Sequence, residues 1–252
     1  REVGCRYNLP GLGFSRVRFR SNVAVSGMAN DGTVIASIPF GAAQDTSAND
    51  SLASTSTDNT IFYDTTPPVV TIGAPSLAIT NNGPVTFPVT VSGASAVNLT
   101  EGDVTLNVTG TANGTVTVSD GASAAPTITG SGISGNGTLG ISIAAGIASD
   151  SAGNSSAAAG PSPTFVVDTI APAVVSITRA NPSPTNAASV DFDVAFSEPV
   201  NGLSAANFSL PAIGVTGASI TAISGGGANY TVSVNTGAGD GTLGLDLVNS
   251  AG

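Results

Sequence analysis

Short runs of alternating apolar and polar residues, punctuated by Gly, Asn, Asp and Ser, occupy most of this chain. The stretches VTVSD at 116–120 and TLGISI at 138–143 place their apolar side chains on one face, the period of a half-buried strand. Read this way, strands fall at 69–73, 85–91, 104–108, 115–119, 126–130, 138–143 and 164–168. A second series follows at 174–178, 190–196, 208–210, 219–223, 230–234 and 242–248. Before both lie candidates at 22–27, 33–38 and 59–64. Only the Ala/Ser-rich stretch 150–160 comes near a helical pattern.

These series are copies of one unit. Asp64 and Asp168 each precede Thr and then Pro, 104 positions apart. Gly137-Thr138-Leu139-Gly140 recurs 104 later as Gly241-Thr242-Leu243-Gly244, and Gly32-Thr33-Val34 lies 105 before it. Asp45 and Asp150 are each followed four residues on by an Asn, Asn49 and Asn154. A period of this length is a domain, not a solenoid turn. Seven short strands per unit predict an all-β fold: tandem antiparallel β-sandwiches of immunoglobulin-like type. Tight turns are expected at Asp31-Gly32, Asn136-Gly137 and Asp240-Gly241, where Gly supplies positive φ, and in the run Gly225-Gly226-Gly227.

The register divides the chain into a non-repeat segment at 1–20, the C-terminal part of a first module at 21–64, a complete module at 65–168, and a third module at 169–252 lacking its last strand. The next Asp-Thr-x-x-Pro would fall twenty residues beyond Gly252. An incomplete third module is expected to leave a sheet edge unpaired and to be less stable than the second. Residues 1–20 hold five of the six Arg and the sole cysteine, and read as foreign to the repeat.

Composition narrows function. The net charge is −10 and there is no Lys, which removes the clustered base a nucleic-acid partner requires. No apolar run is long enough to insert into a membrane as a helix. With Cys5 alone, no intrachain disulfide forms. The absence of His rules out His-based triads and imidazole metal ligands. Asp191 and Asp193 alternate on one strand and share its solvent face rather than forming a hydrolytic pair. The chain is therefore expected to be non-catalytic. Without Trp and with few aromatics it offers no sugar-stacking platform, and Phe165, Phe208 and Tyr230 read as core.

The pattern Phe196-Ser197-Glu198-Pro199-Val200, then Asn207-Phe208, Tyr230-Thr231-Val232, Gly-Asp-Gly-Thr-Leu, Gly-x-Ala-x-Asp-x-Ala-Gly-Asn and Val-Asp-Thr-x-Ala-Pro resembles bacterial immunoglobulin-like (Big-type) modules. The resemblance covers 21–252, although Gly93 and Ala94 stand in the second module where Glu198 and Pro199 stand in the third. Such modules are strung together in large secreted or surface-displayed repetitive proteins, often adhesins. The resemblance implies an extracellular spacer or adhesive role, with neighbouring modules of the same chain as partners and a surface glycan or protein as ligand. The alternative it leaves is a set of accessory modules on a secreted polysaccharide-degrading enzyme.

In a seven-strand sandwich the chain entry and three of the loops share one end. That end would gather Asp64, Glu101, Asp103, Asp150 and Asn154, and the following junction Asp168 and Glu198. Two readings stand. Ca²⁺ takes six to eight oxygen ligands and could be held there, as in similar adhesin arrays. Alternatively, Asp and Asn only close the local turns. The linkers Asp64-Thr65-Thr66-Pro67-Pro68 and Asp168-Thr169-Ile170-Ala171-Pro172 are expected to be semi-rigid, because Pro restricts itself and its predecessor.

Overall fold

The computed structural model describes residues 3–6, 16–19, 24–55 and 57–248. Backbone contacts divide the chain into two compact units, Arg1–Asp168 and Thr169–Gly252. The described residues are all-β. They contain no α-helix and two three-residue 3-10 turns, Glu101–Asp103 and Ala205–Asn207.

The first unit opens with β1 (Val3–Arg6) and β2 (Arg16–Phe19), an antiparallel pair, so the segment read as foreign carries its own hairpin. A second two-stranded ribbon follows, β3 (Gly32–Ile35) on β4 (Thr60–Tyr63). The strand expected at 22–27 does not form over 24–27, and residues 22 and 23 lie outside the described residues. Among the described residues nothing pairs with 24–27, and a strand exists only where its backbone finds a ladder partner.

Ten further strands complete this unit: β5 (Val69–Ile72), β6 (Ile79–Thr80), β7 (Val85–Ser92), β8 (Ala96–Val97), β9 (Val104–Val108), β10 (Asn113–Ser119), β11 (Thr127–Ser134), β12 (Gly137–Ile143), β13 (Ala148–Ser149) and β14 (Phe165–Val167). They form one four-stranded sheet in the order β10-β11-β7-β5 and another in the order β6-β14-β12-β9, with β13 on β8 as a small third pair. All seven expected strands between 69 and 168 are present, and the short β6, β8 and β13 are additional to them. β5 runs antiparallel to β7, whereas β6 runs parallel to β14 in the other sheet. The chain leaves the first sheet at Gly73, where a Cβ would lie 2.8 Å from the Pro88 ring. Pro75, two residues on, has no N–H to extend a ladder.

One core serves both sheets. β7 alternates strictly, burying Val85, Phe87, Val89 and Val91. They cluster with Ile128 of β11 in the same sheet and with Leu139, Ile141, Ile143, Phe165 and Val167 of the other. The Phe87 and Phe165 rings meet across the two sheets at 6.1 Å between centroids, tilted by 45°. The arrangement is consistent with a β-sandwich.

The second unit has β15 (Val174–Arg179), β16 (Ser189–Phe196), β17 (Phe208–Ser209), β18 (Ala212–Ile213), β19 (Ser219–Gly226), β20 (Asn229–Asn235), β21 (Thr242–Leu243) and β22 (Asp246–Leu247). Four strands make the sheet β15-β16-β20-β19. The strand expected at 208–210 stops at Ser209, and after a break an additional strand, β18, follows; the one expected at 242–248 is split, so that β17 pairs with β22 and β18 with β21. The break falls at Pro211, which cannot donate to the ladder. Asn107, 104 positions earlier, occupies the matching place inside the unbroken β9. The β19–β20 turn is Gly227-Ala228 rather than the whole glycine run.

The core here is smaller. Phe192, Val194, Val232 and Val234 are buried from the sheet, with Phe208 and Leu245 from the broken pairs. Phe165 and Phe208 are buried as expected, while Tyr230 is half-buried, edge-on to Phe196 and donating its hydroxyl to the Val200 carbonyl at 2.7 Å. Asp193 faces solvent, as read from its alternation, and accepts the Thr231 hydroxyl at 2.9 Å; Asp191 is half-buried. Amide exchange follows from this difference. The Leu139–Ile143 amides are expected to be better protected than the Thr242–Leu247 amides, by about tenfold or more under native conditions. Equal protection in a hydrogen-exchange experiment would show that core size does not order the two units' stability.

Candidate junction site

Two loops of the first unit close in the same way. At 41–51, Asp45 accepts the Ser47 and Asn49 N–H groups on Oδ1, at 2.8 and 2.9 Å, and the Asn49 side-chain amide on Oδ2 at 2.8 Å. At 146–156, Asp150 accepts the Ala152 and Asn154 N–H groups on Oδ1 and the Asn154 amide on Oδ2, at 2.9, 2.9 and 2.8 Å. The surrounding backbone matches: Gly41 N–H to Ser51 O and Ser51 N–H to Ala43 O are repeated as Gly146 to Ser156 and Ser156 to Ala148. The Asp and the Asn four residues later are thus one device, a carboxylate that collects the loop's N–H donors.

The 3-10 turns do the same between the units. Thr100 donates its N–H and hydroxyl to Asp103 Oδ2 at 2.9 and 2.7 Å. Ser204 donates the same two groups to Asn207 Oδ1 at 2.8 and 2.9 Å, 104 positions later. An amide oxygen therefore fills the place of the Asp103 carboxylate, and the place of Glu101 is taken by Ala205. The role of residue 103 is to accept hydrogen bonds in a cap, for which charge is dispensable.

The linker at 64–68 is held from two directions. On one side, Asp31 at the start of the β3 turn accepts the Thr65 N–H at 2.7 Å, the Thr65 hydroxyl at 2.5 Å on the same oxygen, and the Thr66 hydroxyl on Oδ2. On the other, the Asn154 side-chain amide that binds Asp150 also donates to the Asp64 carbonyl at 3.0 Å. Asp64 itself turns back to accept the Thr66 N–H at 3.0 Å, and Pro68 is buried. Asp64, Thr65 and Thr66 are thus bonded by loops about 34 positions earlier and 90 positions later.

Of the residues read as one cluster, the structure joins Asp64, Asp150 and Asn154. Glu101 and Asp103 belong to the separate capped turn. Asp168 donates its N–H to the Thr80 carbonyl, and Glu198 lies in the second unit with one carboxylate oxygen enclosed and no hydrogen-bond partner. Among the described residues no three acidic side chains gather as a metal group. The bonds at Asp64, Asp150 and Asn154 are those of the turn-closing reading. Asp150 spends both oxygens on N–H groups, and Asn154 presents its amide N–H₂, not its oxygen, to Asp150 and Asp64. Asp31 escaped the sequence reading, which took it only as a turn residue. A signal existed: an acceptor, Asp or Asn, stands before the Gly at 31, 136 and 240.

Hydrogen bonding holds four carboxyls below the usual aspartate range: Asp31 through the Thr65 and Thr66 hydroxyls, Asp45 and Asp150 through Asn49 and Asn154, and Asp103 through Thr100. A folded value below the unfolded one stabilises the fold fully above the unfolded value and loses that contribution as pH falls through the folded one.

Asp103→Asn is expected to change the unfolding free energy by less than about 0.5 kcal/mol, and Asp103→Ala to lower it by about 1 kcal/mol. Equal losses in denaturant titrations would restore a role for the charge. In carboxyl-detected NMR, Asp31 should titrate below the usual aspartate range, held there by the Thr65 and Thr66 hydroxyls, with the Thr65 amide shift following the same curve. Asp31→Ala should abolish that amide transition. In thermal melts at neutral pH with millimolar calcium and then excess chelator, a calcium-dependent rise weakened by Asp150→Ala supports an ion at the junction, and superimposable curves support turn closure alone. Compared with family models, curated proteins and solved structures, the chain matches none.

Proposed function

We propose that this chain is a non-catalytic run of immunoglobulin-like modules in a large exported bacterial protein, where it acts as a spacer or stalk for cell-surface adhesion. One observation carries the reading: registers and loop bonds recur at spacings of 104 and 105 residues, and the linker between two such copies is tied on both sides. β12 meets β9 as Leu139↔Val108 and Ile143↔Val104, and the second unit has Leu243↔Ala212 and Leu247↔Phe208. β12 meets β14 as Gly137↔Val167 and Leu139↔Phe165, and the ribbon has Gly32↔Tyr63 and Val34↔Ile61. Identical registers in copies of one length are what tandem modules of one fold produce.

The linker supplies the mechanics. A flexible linker would let successive modules swing, so that length along the chain would not become reach. Here Asp31 and Asn154 fix a Pro-containing linker from opposite sides. The charge of −10 and the scarcity of aromatics suit a hydrated, non-sticky shaft. An extracellular site and contact with a surface glycan or protein elsewhere in the parent protein belong to the same proposal.

The test is the stiffness of the junction. Spin labels at the exposed positions Thr33 and Thr117, in a Cys5→Ser background, should report a narrow distance distribution by pulsed electron resonance. Asp31→Ala combined with Asn154→Ala should broaden it. A broad distribution in the parent chain would sink the stalk reading.

A further inference from the structure

We propose that Asn113 is a self-modifying residue: the Gly114 backbone nitrogen displaces its side-chain amide, and water then leaves aspartate or isoaspartate in its place. The chemistry needs two neighbours in sequence. The backbone nitrogen that follows an asparagine can attack that residue's side-chain carbonyl carbon and close a cyclic imide. A glycine in the second place leaves the nitrogen unscreened, because it has no Cβ.

Four Asn-Gly pairs lie in the chain, at 82–83, 113–114, 136–137 and 201–202, and the fold treats them differently. Gly114 donates its N–H to the side-chain oxygen of Asn113 at 2.8 Å. The nitrogen and the carbonyl that must join are therefore already in contact, and the bond polarises the carbonyl. At 82–83 the Gly83 N–H is instead given to the Thr80 hydroxyl at 3.0 Å. At 136–137, Gly137 stands in the ladder opposite Val167. The pair at 201–202 lies exposed in the loop after β16.

An irregularity in the ladder sets up the contact at 113–114. β10 meets β11 as Asn113↔Ser134 and then as Thr115↔Ser131, so Gly114 stands against two residues, Gly132 and Ile133. Such a bulge disturbs regular pairing, and a short polar side chain nearby can take up a backbone N–H there. From Thr115 to Ser119 the register with β11 is regular, and Val116 and Val118 pack against the core. The reacting atoms thus sit at the end of a fixed strand, and holding them together lowers the barrier to their reaction. Asn113 is exposed, so water and hydroxide reach it.

The steps balance with water alone. Hydroxide takes the Gly114 N–H proton as the nitrogen bonds to Asn113 Cγ. The Cγ–Nδ2 bond breaks, and Nδ2 leaves as ammonia with a proton from water. Water then opens the imide. Attack at Cγ breaks the new bond and gives aspartate; attack at the main-chain carbonyl breaks the original peptide bond and gives isoaspartate, with the chain now running through Cγ. One water is consumed and one ammonia released. Either product places a carboxylate at the end of an outer strand of its sheet, beside the exposed, uncharged Thr115, Thr117 and Ser119. The change is one-way, so it records the age of the folded module. The place 104 positions later holds Gly217-Ala218 and has no such pair. The inference rests on the Gly114 contact and stands apart from the stalk reading.

The test incubates the full chain in heavy-oxygen water at mildly alkaline pH. Peptide mapping by mass spectrometry, with fragmentation that separates aspartate from isoaspartate, follows residues 113 and 82. In the folded chain Asn113 should take up heavy oxygen as both isomers, about tenfold or more faster than Asn82. In denaturant, where each is simply an asparagine before a glycine, the two rates should converge. Gly114→Ala should slow conversion at 113, with unchanged amide exchange at Leu139–Ile143 showing that the sandwich remains folded. An intact Asn113 in the folded chain, a folded rate ratio no greater than that in denaturant, or a folded Gly114→Ala variant that converts as fast as the parent would overturn the proposal.

Discussion

A buried strand must have its backbone paired along both sides, and β12 is where that constraint organises the first unit. β9 binds one side, β14 and the loop at 159–162 bind the other, and the side chains between them carry the inner face of one sheet. Leu139, Ile141 and Ile143 then lie across from Val85, Phe87 and Val89, and one continuous core follows. Displacing β12 by a single residue would turn this face toward solvent, so register and burial enforce each other.

Equivalent sequence does not guarantee equivalent burial. Ile143 is 2% exposed, whereas Ile38, 105 positions earlier, is 47% exposed. Both bond through the backbone to a matching partner, Ala159 for Ile143 and Ser54 for Ile38. The loop at 41–51 likewise keeps the hydrogen bonds of 146–156 without the enclosing core. Local polar geometry survives where the hydrophobic partner is absent among the described residues. The loops are therefore built by short-range hydrogen bonds, and the sandwich by long-range apolar contact.

The polar residues of the turns follow the same division. Asp45, Asp150 and Asp103 serve the N–H groups of their own turns, and Asn207 replaces Asp103 with its bonds intact. The linker contacts of Asp31 and Asn154 instead reach across 34 and 90 positions of the chain. These few bonds convert a boundary between strands into a fixed direction, and the Pro residues add to it by narrowing the backbone's choices.

The sequence by itself determined the long strands from 69 onward, the spacing of 104 and the solvent-facing Asp193. Each depends on short-range alternation, on glycine and proline, or on self-similarity that can be counted. It also carried, unrecognised, the cap at Thr100 and Asp103. Tertiary structure alone decided the rest. The short β6 forms because β14 offers it a sheet edge to pair with. The meeting of Asp31 with Thr65 depends on the β3–β4 register. The partners of Asp150 depend on which N–H groups the folded loop points at its oxygens. A carboxylate's partner is a matter of position in space, and one-dimensional spacing brings candidates to the same end without saying which atoms face one another.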